Sequence, residues 1–229
     1  MKTCILLLMG GFLLLFACQS AAKIEVQTQR RVETTGNLDV NIARSIFTSA
    51  NPETGKSCDI LNAKVRNLID SIEKKLALQA DTFYSGMARD GMVRPAWNFE
   101  FYADDSVFMV HPDYISLRVR TYIFQGGAHG MTEFYAFNYD VKRRQLQSPT
   151  QILDFRKYRE INEILKKNFT NPDHCFTEIP TLENGFTALN LSAEAVCLTY
   201  PQYVLGPYSC GYAQVNLPRA ELKDILLNK

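Results

Sequence analysis

The run Gly126-Gly127-Ala128-His129-Gly130 sets an imidazole in a glycine-rich segment where backbone amides are open to a ligand. Imidazole titrates near neutrality, so His129 is a candidate ligand contact or proton-transfer group. The competing reading has the glycines supply positive φ for a tight turn, which His129 fixes by hydrogen-bonding the backbone. Just upstream, Tyr114, Arg118, Arg120, Tyr122 and Phe124 recur at the period of a strand and share one of its faces. Arginine and aromatic side chains are common at recognition sites, and such a face suits glycan rings or an acidic protein surface. A strand buried on both faces, with arginine paired to a neighbour, has the same pattern. The candidate ligand-binding set is His129, Gly126, Gly127, Arg118, Arg120 and Tyr122.

Nucleophilic and metal chemistry find less support. The chain has no GxSxG elbow and no HExxH pair. His111, His129 and His174 are scattered at spacings that no metal motif uses, and His174 directly abuts Cys175. Asp104 and Asp105 adjoin at an expected turn, where solvated acids are the usual explanation. Acid pairs for glycoside cleavage are set by separation in space, so that class stays open. The expectation is a site with no catalytic residues, no metal and no cofactor, with a cell-wall or carbohydrate hydrolase, His129 near its centre, as the alternative.

The N-terminus carries its own chemistry. Lys2 precedes an apolar run from Ile5 to Phe16 that ends in Ala17 and Cys18, the layout of an export signal. The run is well short of the roughly 20 apolar residues that span a bilayer as a helix. Leu15-Phe16-Ala17-Cys18 reads as a lipobox: the Cys18 thiol takes a diacylglyceryl group, and small Ala17 lets the peptidase reach the bond. An ordinary secretory cut near Ala21 or Ala22 is the other reading. Residues 1–17 are then signal peptide and 18–23 a lipidated tether, and attachment through two or more acyl chains is lasting. The expected location is the bacterial cell envelope, lipid-anchored, periplasmic or at the surface. Outside the cytoplasm, Cys58, Cys175, Cys197 and Cys210 are candidate disulfide cysteines, with three possible connectivities.

Removing residues 1–17 leaves 212 of the 229 residues and takes away Lys2, so the formal charge falls from +1 to 0. A neutral chain without a dense Lys/Arg run is a poor partner for nucleic acid. With 46% hydrophobic and 21% charged residues, it has the composition of a folded domain with a substantial core.

The elements that position these residues follow from periodicity. Ile24, Val26 and Thr28, then Leu38, Val40 and Ile42, alternate around Thr35-Gly36-Asn37, which predicts a hairpin. From Ser57 the period becomes helical, with Leu61, Val65, Leu68, Ile69, Ile72 and Leu76 on one face. Strands are expected over 97–103, 107–111, 114–124 and 133–141, then a second helix with its stripe from Phe155 to Phe169. Strands near 187–191, 194–200 and 211–217 follow, and a short C-terminal helix from Pro218 that buries Leu222, Ile225 and Leu226. The order implies an α+β fold with a central antiparallel sheet, two main helices and a short C-terminal helix.

Three segments together resemble a known family. Tyr122-Ile-Phe-Gln-Gly-Gly-Ala-His129, Phe137-Asn-Tyr-Asp140, and Leu198-Thr-Tyr-Pro-Gln-Tyr203 with Gly206-Pro-Tyr208 and Gly211 are similar to the extracytoplasmic domain of lysozyme-sensing anti-sigma factors of the RsiV type. Residues 24–124 resemble the companion module at the front of the PdaC peptidoglycan deacetylase, which leaves 125–229 as the RsiV-like half. The resemblance implies an α+β domain with a central antiparallel sheet outside the cytoplasmic membrane; lysozyme recognition belongs to the anti-sigma relative and is not carried over without its contacting residues, and the expected partner here is a lysozyme-like protein or peptidoglycan. The transmembrane and sigma-binding segments of the anti-sigma relative have no counterpart here, so direct sigma control is not carried over. The expected function is that of a lipid-anchored binding module; a structural envelope component is a further reading.

Overall fold

A computed structural model describes residues 23–227. The expected signal peptide and lipobox, with Cys18, lie outside the described residues. The chain opens with the hairpin of β1 (Glu25–Thr35) and β2 (Leu38–Thr48), turned at Gly36, whose φ of +60° suits glycine. β1 is exposed along its whole length, whereas β2 buries Leu38, Val40 and Ile42. Helix α1 (Pro52–Arg89) starts earlier and runs longer than its apolar stripe predicts. Its start is fixed by Asn51, whose side-chain oxygen accepts from the backbone N–H groups of Glu53 and Thr54, both at 3.1 Å, and by Pro52 in the first turn. Leu61, Val65, Ile69 and Leu76 are buried as the period requires, with Leu68 and Ile72 at the margin.

The long helix carries the chain back to its starting end, so β3 (Phe99–His111) lies parallel to β2. The meander through β4 (Tyr114–Phe124), β5 (Met131–Asp140) and the short β6 (Gln145–Leu146) is antiparallel. The central sheet, in order β1-β2-β3-β4-β5-β6, is thus mixed rather than wholly antiparallel. The two strands expected over 97–103 and 107–111 are one strand with a bulge near Val107, and Asp104 and Asp105 sit inside it rather than at a turn. Both acids are accommodated there because each has a partner: Arg120 for Asp104, and Ser45 for Asp105.

Beyond β6 the expected second helix is broken into α2 (Pro149–Ile152), a 3-10 turn (Phe155–Lys157) and α3 (Tyr158–Asn168). The break falls at Leu153, which is extended and bridges to Leu226, while the Asp154 N–H donates to the Ile225 carbonyl at 2.8 Å. That pairing also corrects the C-terminal helix. Residues 219–226 form turns, because their backbone is committed to 152–154, yet Leu222, Ile225 and Leu226 are buried as expected. Strands β7 (Ala188–Leu191), β8 (Ala195–Tyr200) and β9 (Ala213–Pro218) make a second antiparallel sheet. The fold is α+β, with two sheets among the described residues where one was expected.

Each sheet has its own apolar core. One unites α1 with one face of the large sheet, including Leu38, Phe101, Leu117 and Val119; the other unites α3 with the small sheet, including Ile161, Leu198 and Val215. Because β4 alternates, its even-numbered residues point away from α1, and there the small sheet docks. The junction is polar. Ser116 donates to the Asn138 side-chain oxygen at 2.8 Å, Asn138 donates to the Leu189 carbonyl at 2.6 Å, and Asn190 donates to the Leu117 carbonyl at 2.9 Å. Ser116, Asn138 and Asn190 are buried, so these bonds replace water that the junction excludes.

Candidate functional site

The small sheet covers only part of the large sheet's second face. Over β1, β2 and β3 that face stays open as a groove of about 860 Å³, lined by Arg30, Asn41, Tyr102, Asp104, Arg120 and Tyr122, with Tyr212 of the small-sheet half at its wall. The alternation of β4 places Arg118 and Arg120 on the groove side with Tyr122, as the period-two pattern predicts. Register explains the pairings: Asp104 lies opposite Arg120, and Tyr102 opposite Tyr122.

The two arginines differ in kind. Arg120 is exposed and chelates Asp104, with Nε donating to Oδ1 at 3.0 Å and Nη2 to Oδ2. That hydrogen-bonded carboxylate holds its guanidinium firmly charged. Arg118 is only 4% exposed. Its Nη1 donates to Thr199 Oγ1 at 2.7 Å, and its guanidinium carbon lies 5.0 Å from the Phe134 ring centre and 5.2 Å from that of Phe108. Burial disfavours its charged form and pulls its pKa down.

Tyr122 joins the groove to the glycine-rich turn. Its ring lies 5.8 Å from that of Tyr102, and its hydroxyl accepts from the Gly130 N–H at 3.1 Å. Gly126 has φ of +93°, and a Cβ there would stand 2.4 Å from the Trp97 ring, so glycine is required by both conformation and space. Gly127, also at positive φ, meets nothing within 4 Å.

His129 is exposed but engaged. Nδ1 lies 3.1 Å from the Gly130 carbonyl and Nε2 3.1 Å from the Tyr203 hydroxyl. A carbonyl only accepts, so in the neutral ring the Nδ1–H tautomer satisfies both contacts, with Nε2 accepting from Tyr203. The ring also stacks on Tyr208 with centroids 3.6 Å apart, and the Tyr208 hydroxyl donates to the Gly130 carbonyl at 2.9 Å. His129 thus clamps the turn against the 203–208 loop. Tyr203 adopts φ of +69°, unusual for a residue with a Cβ, and these contacts hold it there. The segments quoted for the resemblance therefore converge: Tyr122 and His129 from one, Tyr203 and Tyr208 from another. The sequence does not single out Tyr203, Tyr208 and Tyr212 as site residues, nor Tyr102, whose place depends on the β3–β4 register.

Among the remaining candidates, Cys175 and Cys210 form a disulfide with Cα atoms 5.6 Å apart. Cys58 and Cys197 are buried free thiols, one on α1 and the other on β8. Burial pushes the Cys58 thiol up to about 11 and raises that of Cys197, which removes the thiolate a nucleophile needs. Asp105 is raised by burial despite accepting from the Ser45 N–H at 2.6 Å and Ser45 Oγ at 2.7 Å. Among the described residues no group of three His, Cys, Asp or Glu side chains is placed to hold a metal ion. No described helix is long and apolar enough to cross a membrane.

Residues 48–132 match the family model described as deacetylase PdaC. That stretch holds α1, β3, β4 and the glycine-rich turn. No curated protein matches the chain in sequence. Among solved structures, a DUF3298-family protein from Bacteroides fragilis superposes with a TM-score of 0.65 at 12% identity, over 90% of this chain and 94% of its own. A DUF3298-family protein from Pseudomonas aeruginosa gives 0.54 at 19% identity, again over 90% and 94%. The chain therefore has the DUF3298-type fold, and its 48–132 segment is similar to the PdaC family.

Proposed function

We propose that this chain is a lipid-anchored extracytoplasmic binding module that takes cell-wall glycan in the groove of its large sheet. The observation that carries this reading is the groove itself. Its volume is that of a small-molecule site, and it joins the Tyr102 and Tyr122 rings to the polar side chains of Arg30, Asn41 and Arg120. Apolar rings can lie against sugar faces while amide and guanidinium groups bond hydroxyls. The acid with a raised pKa in this groove, Asp105, has both oxygens occupied by Ser45, a structural rather than a catalytic arrangement. The membrane anchor is Cys18, on the strength of the lipobox, and a site at the cell wall is supported by the similarity of residues 48–132 to the PdaC family and by the motif resemblance to RsiV-type domains.

The test is retention of the full chain, in detergent, on purified peptidoglycan and on immobilised lysozyme, with released fragments read by mass spectrometry. Retention on peptidoglycan without cleavage, weakened about tenfold in Tyr102→Ala, is the expected result. Retention on lysozyme alone would move the partner to a protein. Cleavage lost in His129→Ala would replace the binding reading with a hydrolase.

A further inference from the structure

Arg118 is a buried cation with no acid bonded to it; Asp104 attracts it, but both Asp104 oxygens are bonded to Arg120. Its contacts are neutral: Thr199 Oγ1, the rings of Phe108, Phe134 and Tyr212, and Gln214, whose amide oxygen, turned toward the guanidinium, accepts from Nη1 at 2.5 Å and Nη2 at 3.3 Å. Its Nε is buried with no partner at all. The acids that share the groove are already committed. Both oxygens of Asp104 go to Arg120, and both of Asp105 to Ser45. Enclosing a charge that no acid is bonded to is costly unless something compensates it. Aromatic faces and neutral acceptors supply part of that compensation, but they leave the formal charge in place.

We propose that the acid that bonds to Arg118 is a ligand carboxylate, carried on a sugar ring that rests on Tyr102 and Tyr122, with Arg118 as the anion subsite of the groove. The proposal rests on the glycan-binding reading and specifies its ligand class. A carboxylate fits better than a phosphate or sulfate on two grounds. It is planar and carries the single charge that one guanidinium balances. Asp104 and Asp105 line the same groove, so a more highly charged anion meets repulsion that a single carboxylate meets less. The two tyrosines, on neighbouring strands of one face, provide the apolar bed beside the charge.

The experiment titrates the full chain, in detergent, with two probes in a calorimeter: the disaccharide of N-acetylglucosamine and N-acetylmuramic acid, and the same disaccharide with its carboxyl converted to a methylamide. A charge-assisted bond to a buried partner contributes about tenfold to a hundredfold in affinity, so the amide is expected to bind that much more weakly. In Arg118→Met, checked for folding by circular dichroism, the two probes are expected to bind alike, near the amide's affinity for the wild type. Equal binding of both probes to the wild type would overturn the carboxylate subsite while leaving the glycan groove standing. Binding of neither would overturn both. Should Arg118→Met fail to fold, the comparison of the two probes on the wild type decides alone.

Discussion

Replacing Asn138 by alanine removes the middle of the polar bridge between the two sheets. Asn138 is 3% exposed, accepts from Ser116 Oγ at 2.8 Å and donates to the Leu189 carbonyl at 2.6 Å. Alanine leaves two buried groups without these partners: the Ser116 hydroxyl hydrogen and the Leu189 oxygen. Ser116 Oγ still accepts from Asn190 at 3.1 Å and from the Leu191 N–H at 3.0 Å, so only its donor role is lost. At about 1–3 kcal/mol for each abandoned buried group, the expected loss is about 3 kcal/mol. In a domain of this size each kcal/mol lowers Tm by about 2–4 °C, which gives a fall of about 6–12 °C. Thermal and urea unfolding followed by circular dichroism measure it. Asn138→Asp should be at least as damaging, because it keeps the Ser116 bond but sets a buried carboxylate against the Leu189 carbonyl oxygen with no N–H between them. A loss below about 0.5 kcal/mol in Asn138→Ala, the scale of a surface change, would refute the claim that this bridge holds the sheets together.

Opening the Cys175–Cys210 disulfide, which closes a separation of 35 residues, should cost about 3–4 kcal/mol by loop entropy, seen as a lower Tm for Cys210→Ser or with reductant present. Burial raises the folded-state pKa of Asp105, so the native state keeps a proton that the unfolded carboxyl releases from about pH 4 upward. Stability should therefore decline as pH rises from there through the folded pKa, and Asp105→Asn should flatten that slope in urea titrations. Cys18→Ser is expected to move the protein from the membrane fraction to the soluble fraction and to abolish incorporation of labelled fatty acid; retention of label would place acylation elsewhere.

The elements legible in the sequence are those whose periodicity answers to a single core. β4 is readable end to end because its odd positions, Ile115, Leu117 and Val119, all face α1. The same alternation by itself puts Arg118, Arg120 and Tyr122 together on the opposite side. What periodicity does not convey is what covers that side. The small sheet buries Arg118 and stops short of Arg120, a difference set by tertiary docking and not by either residue's neighbours along the chain. Asp104 and Asp105 read as a turn because adjacent acids favour solvent, and only their partners on β4 and β2 make a strand tolerable there. The stripe Leu222, Ile225 and Leu226 is apolar as a buried helix face would be, but burial alone does not distinguish a helix from turns whose backbone pairs with 152–154.

The parallel seam between β2 and β3 also bears on the order in which the molecule assembles. Leu38 meets Phe99 only after the whole of α1 has been made and laid down, whereas β3, β4 and β5 need only short turns to find one another. A two-stranded hairpin is marginal by itself, so β1 and β2 wait for a template that the meander and helix provide. Distant pairings are slow to form because the intervening chain has to be closed first. The folding nucleus is therefore expected in β3–β5 with α1. Substitutions in the hairpin, such as Val40→Ala, should speed unfolding while leaving the folding rate nearly unchanged.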